Sequence, residues 1–163
     1  MFLGKIAPII LPTKIEKIDS KLYRGNAVFT PVKALRIKNR GITQIIDLRN
    51  GGNVLPNPFR FLERMYCKIL NIKYVNMCYN VSNQEKIPDA NFFDAVSSQI
   101  QKSKKTYIHC HFGLHRTGFA VAMYEKSNKI PKDKILDRLS KCSWEKQKEK
   151  NDLKLFIQKF FSN

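Results

Sequence analysis

The chain has 163 residues, of which 30 are Lys or Arg and 13 are Asp or Glu, for a formal net charge of +17. That length fits a single domain, and 43% hydrophobic with 11% aromatic residues suffice for a core, which excludes a disordered basic tail. The basic excess is spread along the whole chain rather than gathered in an arm, so it describes a surface that draws anions without choosing among nucleic acid, acidic headgroups and phosphorylated small molecules.

Residues 1–12 are apolar but include Pro8 and Pro12, with no basic region ahead of the apolar run and no small-residue cleavage site, so no signal peptide is expected. No run approaches the ~18–20 apolar residues that span a bilayer. Thr30-Pro31 offers an N-cap and a first-turn proline for a helix through Asn39, which Gly41 closes. Residues 42–48 are rich in β-branched side chains and read as a buried strand ending at the Asn50-Gly51-Gly52 turn. Asn57-Pro58 starts a second helix, in which Phe59, Leu62, Tyr66 and Ile69 recur at helical spacing, and residues 73–77 form a second strand. Pro88-Asp89 opens a third helix with Phe92, Phe93, Val96 and Ile100 on one face. Thr106–His109 is a short strand entered through Lys102, Lys104 and Lys105. Residues 116–127 form an unusually apolar helix, 131–141 another, and 152–161 a closing amphipathic one, against which the lone Trp144 packs.

Strands alternating with helices imply parallel pairing in a layered α/β fold: a short central, mostly parallel sheet flanked by helices, with a helical C-terminal half. Ligands in such folds sit beyond the carboxyl ends of the strands, which directs attention to the segment after Thr106–His109. It reads His109-Cys110-His111-Phe112-Gly113-Leu114-His115-Arg116-Thr117-Gly118 and contains all three histidines of the chain. Cys110 stands where a strand ends and a loop enters a helix N-terminus, where backbone N–H groups and the helix dipole favour an anion at the centre. With Arg116 closing the loop, the same setting favours a thiolate. Five residues between Cys110 and Arg116 can wrap a tetrahedral dianion, with amides donating to its oxygens and the guanidinium binding two of them. Gly113 permits close backbone approach, and the Thr117 hydroxyl can donate to the sulfur as leaving group.

His-Cys-x5-Arg-Thr-Gly resembles the signature of the cysteine-dependent protein-tyrosine and dual-specificity phosphatases, and each fixed position matches. Leu22-Tyr23-Arg24-Gly25-Asn26 and the run from Gly41-Ile42 to Ile46-Asp47-Leu48-Arg49 look like the first strands of small, atypical dual-specificity phosphatases, so the resemblance covers about residues 20–160. His115-Arg116-Thr117-Gly118, with Ile87-Pro88-Asp89 upstream, is similar to the plant and fungal group that includes inositol pyrophosphate phosphatases. The resemblance implies a single-domain dual-specificity-phosphatase-like fold over 1–163. It also implies Cys110 as nucleophile, Arg116 as phosphate clamp, Thr117 as thiolate partner, residues His111, Phe112, Gly113, Leu114, His115 and Arg116 as the phosphate-binding loop, and His109 as a buried support. No metal or organic cofactor is implied. Its substrate would be a phosphorylated anion: a phosphoprotein, an inositol polyphosphate, a phosphoinositide or an RNA 5′ end, taken by a monomer.

These phosphatases carry an aspartate about thirty residues before the cysteine. Here that neighbourhood is Cys78-Tyr79-Asn80-Val81-Ser82, without a carboxylate. Glu85 and Asp89 are the general-acid candidates, although Asp89 is equally explained as a first-turn residue favoured by the helix dipole. His111 or His115 could donate instead, or the substrate could have a leaving group that needs little protonation, as a phosphoanhydride does. RNA 5′-triphosphatases with a similar loop also lack the usual acid.

Cys67, Cys78, Cys110 and Cys142 make no CxxC pair, which argues for free thiols in a reducing cytoplasm, with export by a dedicated machine left open. Cys67, Cys78 and Cys142 read as core or surface thiols, with Cys78 a possible disulfide partner of Cys110. Asp47 and Arg49 are expected to tie strand ends together. The competing readings are a phosphate-binding pseudophosphatase, a rhodanese-type sulfurtransferase, a His-Cys metal cluster and a plain nucleic-acid-binding domain. The last leaves residues 109–118 unexplained.

Overall fold

A computed structural model describes residues 14–49, 58–78, 87–142 and 147–162. Its sheet runs in the order β1-β2-β5-β3-β4, with β1 Ile15–Lys17, β2 Leu22–Gly25, β3 Gln44–Asp47, β4 Lys73–Asn76 and β5 Thr106–His109. β2, β5, β3 and β4 are parallel, and β1 is an antiparallel edge on β2. The register aligns Gly25 and Asp47 on either side of His109, with Asn76 beside Asp47, so the carboxyl ends of all four parallel strands fall in one row. Cys110 leaves that row from its middle.

Side chains alternate across the sheet with the period of two that pleating demands. Leu22, Ile46 and Ile108 face a core built with Phe93, Val96, Phe119 and Phe156. These come from α3 Ala90–Gln101, α4 His115–Ser127 and α6 Gln147–Phe161, while α5 Lys132–Ser140 adds Ile135 and Leu139. Tyr23, Ile45 and Tyr107 face the other way, toward Ala34 and Ile37 of α1 Pro31–Asn39 and Cys67 of α2 Pro58–Ile69.

Local signals account for several boundaries. Thr30 Oγ1 accepts from the Lys33 N–H at 3.3 Å, Pro31 sits in the first turn, and Gly41 follows the helix at φ +73°. Asp89 is the N-cap of α3, its Oδ1 accepting from the Phe92 N–H at 2.9 Å. Three features differ from the sequence expectation: α6 begins at Gln147, five residues before the expected start at 152, and the other two concern β1 and α2. β1 was not anticipated, because three residues at a sheet edge carry little pattern. In α2 the periodic apolar set does not form the inward face: Phe59 and Ile69 are exposed, Leu62 and Tyr66 half-buried, and the fully buried positions are Glu63 and Cys67. The helix is turned by the ionic partners that Glu63 meets inside. Trp144 lies outside the described residues. No helix among those described is long and apolar enough to cross a membrane.

Candidate functional site

The segment from Cys110 to Arg116 is a loop gripped from outside by its carbonyl oxygens. His109 Nδ1 lies 2.9 Å from the Cys110 oxygen, and the Ala27 N–H donates to the His111 oxygen at 3.1 Å. Arg24 Nη2 donates to the Gly113 oxygen at 2.6 Å and to the Leu114 oxygen at 3.3 Å. In a planar trans peptide the N–H points opposite to the C=O. Outward carbonyls at 110, 111, 113 and 114 therefore aim the N–H groups of His111, Phe112, Leu114 and His115 toward the loop's interior. Leu114, the N-cap of α4, makes no side-chain cap hydrogen bond, so the helix start faces the same interior with its dipole. A concavity lined by N–H groups at a helix start has the polarity that suits an anion.

Gly113 is required by this packing. Its φ is +74°, and a Cβ there would stand 2.1 Å from the Gly25 oxygen and 2.8 Å from the Asn26 nitrogen. Gly25 is equally constrained, since a Cβ would meet the Lys14 oxygen at 2.2 Å. The loop is thus seated on the end of β2.

Cys110 is buried, at 7% exposure, and Thr117 is fully buried with an Oγ1 that has no hydrogen-bond partner among the described residues. His115 and Arg116 are half-buried in the first turn of α4. His111 and Phe112 are exposed and join Phe29 and Phe59 in an edge-to-face aromatic series along the rim, with ring centroids 4.6–5.5 Å apart. Burial, and then the charges of Arg49 and His109, hold the His111 pKa below its usual 6.5, which favours the neutral ring. Of the acid candidates, Asp89 caps α3 and Glu85 lies outside the described residues.

Beneath the loop is a buried ionic network. Arg49 binds Asp47 through Nε and Nη2, both at 2.8 Å, and its Nη2 also contacts Glu63. Tyr74 donates to Asp47 Oδ2 at 2.6 Å. Glu63 Oε1 accepts from the Val28 N–H at 3.2 Å and lies 2.8 Å from His109 Nε2, a close contact that lacks the alignment of a hydrogen bond. Burial alone would raise the Asp47 pKa, but the Arg49 hydrogen bond and the attraction of His109 and Arg49 outweigh it and bring it down to about 2. Asp47, Glu63 and His109 have metal-ligand geometry, with ligand atoms within 4.8 Å of one another. The cation between the two carboxylates is already the Arg49 guanidinium, and among the described residues the His-Cys cluster considered from sequence does not come together.

The strand-to-helix connection after β2 is held by Lys33, only 2% exposed. Its Nζ donates to the Asn26 oxygen at 2.5 Å, to Asn26 Oδ1 and to the Ala27 oxygen at 3.2 Å, and sits 5.4 Å over the Tyr107 ring. Burial outweighs the nearby Glu63 charge and lowers its pKa from 10.5 to about 7. The folded protein thus binds fewer protons than the unfolded chain between about 7 and 10.5, and this group makes stability rise with pH across that window. Lys33→Met is expected to lose the rise. The wild-type advantage over the variant in urea denaturation should grow from neutral to alkaline pH, and a pH-independent difference would place the lysine in a solvated setting.

Cys67 is buried, with its thiol pKa pushed up to about 12 by burial and by Glu63 and Asp47. Cys78 is exposed at the end of β4. The thiol that the fold brings to the outside of the loop is Cys142, whose Sγ is 3.4 Å from Arg24 Nη2.

No protein-family model and no curated protein sequence matches the chain. Solved structures do. TpbA of P. aeruginosa aligns with a TM-score of 0.63 at 14% identity, over 91% of each chain. The fold is that of the cysteine-dependent phosphatases. The core catalytic domain of the PP-IP phosphatase SIW14 from S. cerevisiae gives a TM-score of 0.63 at 14% identity, over 88% of this chain and 85% of that one. PTPMT1 gives 0.63 at 15% identity, over 90% of this chain and 95% of that one.

Proposed function

We propose that the protein is a cysteine-dependent phosphatase acting through a cysteinyl-phosphate intermediate. The observation that carries this is the loop itself: carbonyls turned outward, N–H groups turned inward, and an uncapped helix start, all between Cys110 and Arg116. The Cys110 thiolate attacks phosphorus in line, forming the S–P bond as the P–O bond breaks. Water then attacks phosphorus and the S–P bond breaks, returning the thiolate and releasing phosphate. Arg116 spans two phosphoryl oxygens as charge develops on them, Thr117 Oγ1 donates to the departing sulfur, and His109 supports the loop from below. Glu85 and Asp89 are the acids that could protonate the leaving oxygen. Asp89 already serves as an N-cap, which favours substrates whose leaving group needs little protonation. The free thiol suits a reducing compartment such as the cytoplasm, and a monomer suffices.

The neighbours include a PP-IP phosphatase and a TpbA structure in complex with pTyr, and these frame the two substrate classes to separate. The charge of +17 favours encounter with polyanions, an advantage that fades as salt shortens the Debye length from about 10 Å at 0.1 M. Polyphosphorylated small molecules are therefore expected to show higher kcat/KM than phosphotyrosine peptides at low salt, with the gap narrowing as salt rises. Phosphate release measured across both classes decides it. A phosphotyrosine peptide that wins at every salt concentration would make this an ordinary tyrosine phosphatase with a solubilising surface.

A further inference from the structure

A cavity of about 640 Å³ opens on the outer side of the catalytic loop, and its lining includes neither Cys110 nor Arg116. Phe112, Gly113 and Leu114 form one wall, so it shares the loop but not the thiol's side of it. Five cations line it, Lys14, Arg24, Lys134, Arg138 and Lys141, against two carboxylates, Glu16 and Asp137.

The pairing in and around the cavity leaves positive charge over. Arg24 Nε is 3.9 Å from Glu16, Arg138 pairs with Glu125, and Lys141 Nζ is 2.5 Å from Asp137. The last pair is 72% and 61% exposed, where such contacts contribute little. Lys14 and Lys134 have no ion-pair partner among the described residues. Lys134 and Arg138 of α5 and Lys141 at its C-cap follow one another at helical spacing on the cavity side, while Ile135 and Leu139 are buried in the core. Arg24, 4% exposed, is a pre-positioned guanidinium in the cavity wall, with one nitrogen committed to the loop carbonyls.

We propose that this cavity is a second anion-binding site, separate from the catalytic thiol, for a polyphosphate chain or a polyphosphorylated small molecule. Its volume lies in the usual range of roughly 300–1,000 Å³ for small-ligand sites. Its cations stand on two walls, the β1 side and α5, so a ligand needs several anionic groups to meet both. The ligand would rest against Arg24, which also grips the loop carbonyls, so occupancy and loop geometry are mechanically joined.

The test is calorimetric titration of inorganic tripolyphosphate into protein whose catalytic loop has been filled with vanadate, at about 0.15 M salt to suppress diffuse attraction. Binding is expected to persist in the filled protein. Charge reversal in Lys14→Glu/Lys134→Glu should weaken it by about tenfold or more. Lys68→Glu/Lys73→Glu, the same change of net charge on exposed positions by the opposite sheet edge, should weaken it by less than about twofold. Absence of binding in the filled protein, or equal losses in the two double variants, would overturn the proposal. Turnover of an aryl phosphate by the same variants reports on the thiol side of the loop, so failure there is distinguishable from failure of the cavity.

Discussion

Cys110→Ser is expected to release no measurable phosphate from an aryl phosphate while still binding vanadate or phosphate in the loop. The hydroxyl is a far weaker nucleophile than a thiolate, so a loss of roughly 10³-fold or more in kcat is expected. The loop itself should survive. Its shape rests on Arg24, the Ala27 N–H, His109 and the seating of Gly113 on β2, and none of these contacts uses the sulfur. An aryl phosphate is the right substrate because its leaving group needs little protonation, so the result does not depend on which residue is the acid. Turnover retained at more than about one part in a hundred would sink the covalent mechanism, since a loss of only two decades is within what general acid–base groups supply.

The parts of the molecule legible in the sequence are those written locally. Thr30-Pro31 and Gly41 bracket α1 because capping and a left-handed residue act over one turn, and β5 with its following loop is spelled in one contiguous stretch. The support of that loop was not legible in the same way. Arg24 reaches Gly113 from 89 residues away, and nothing near position 24 distinguishes a buried guanidinium from a solvated one. Glu63 is not singled out by the sequence: it stands in α2 beside the expected apolar positions Leu62 and Tyr66, and it is fully buried because Arg49 and His109 offset its charge. Tertiary electrostatics here override amphipathic periodicity, and Phe59 and Ile69 are turned outward as the consequence. Cys142 follows the same logic: only the packing of α5 against α4 reveals that it lies beside the loop's clamp.

Glu63→Ala should be the most destabilising single change outside the hydrophobic core. Removing the carboxylate leaves the Arg49 guanidinium with Asp47 alone and the Val28 N–H without its acceptor, all in a site where Asp47, Glu63 and His109 are fully buried. Breaking a buried ion pair by deleting one partner costs about 3–5 kcal/mol, a large fraction of the roughly 5–15 kcal/mol total stability of a domain. Glu63→Gln keeps the shape and one acceptor, so its loss should be smaller, about 1–3 kcal/mol. The remaining Asp47–Arg49 pair has its own pH signature. The Asp47 pKa falls from 3.8 unfolded to about 2 folded, so its contribution is fully present above 3.8 and is lost as pH falls toward 2. Urea denaturation at neutral pH measures the first two losses, and acid titration of Glu63→Gln follows the third. Because His109 meets Glu63 on one side and the Cys110 carbonyl on the other, the folded Gln variant should also lose kcat more than it gains KM. Equal stability of Glu63→Ala and wild type would mean that α2 is held by its apolar contacts, and that the buried charges are not what turns it.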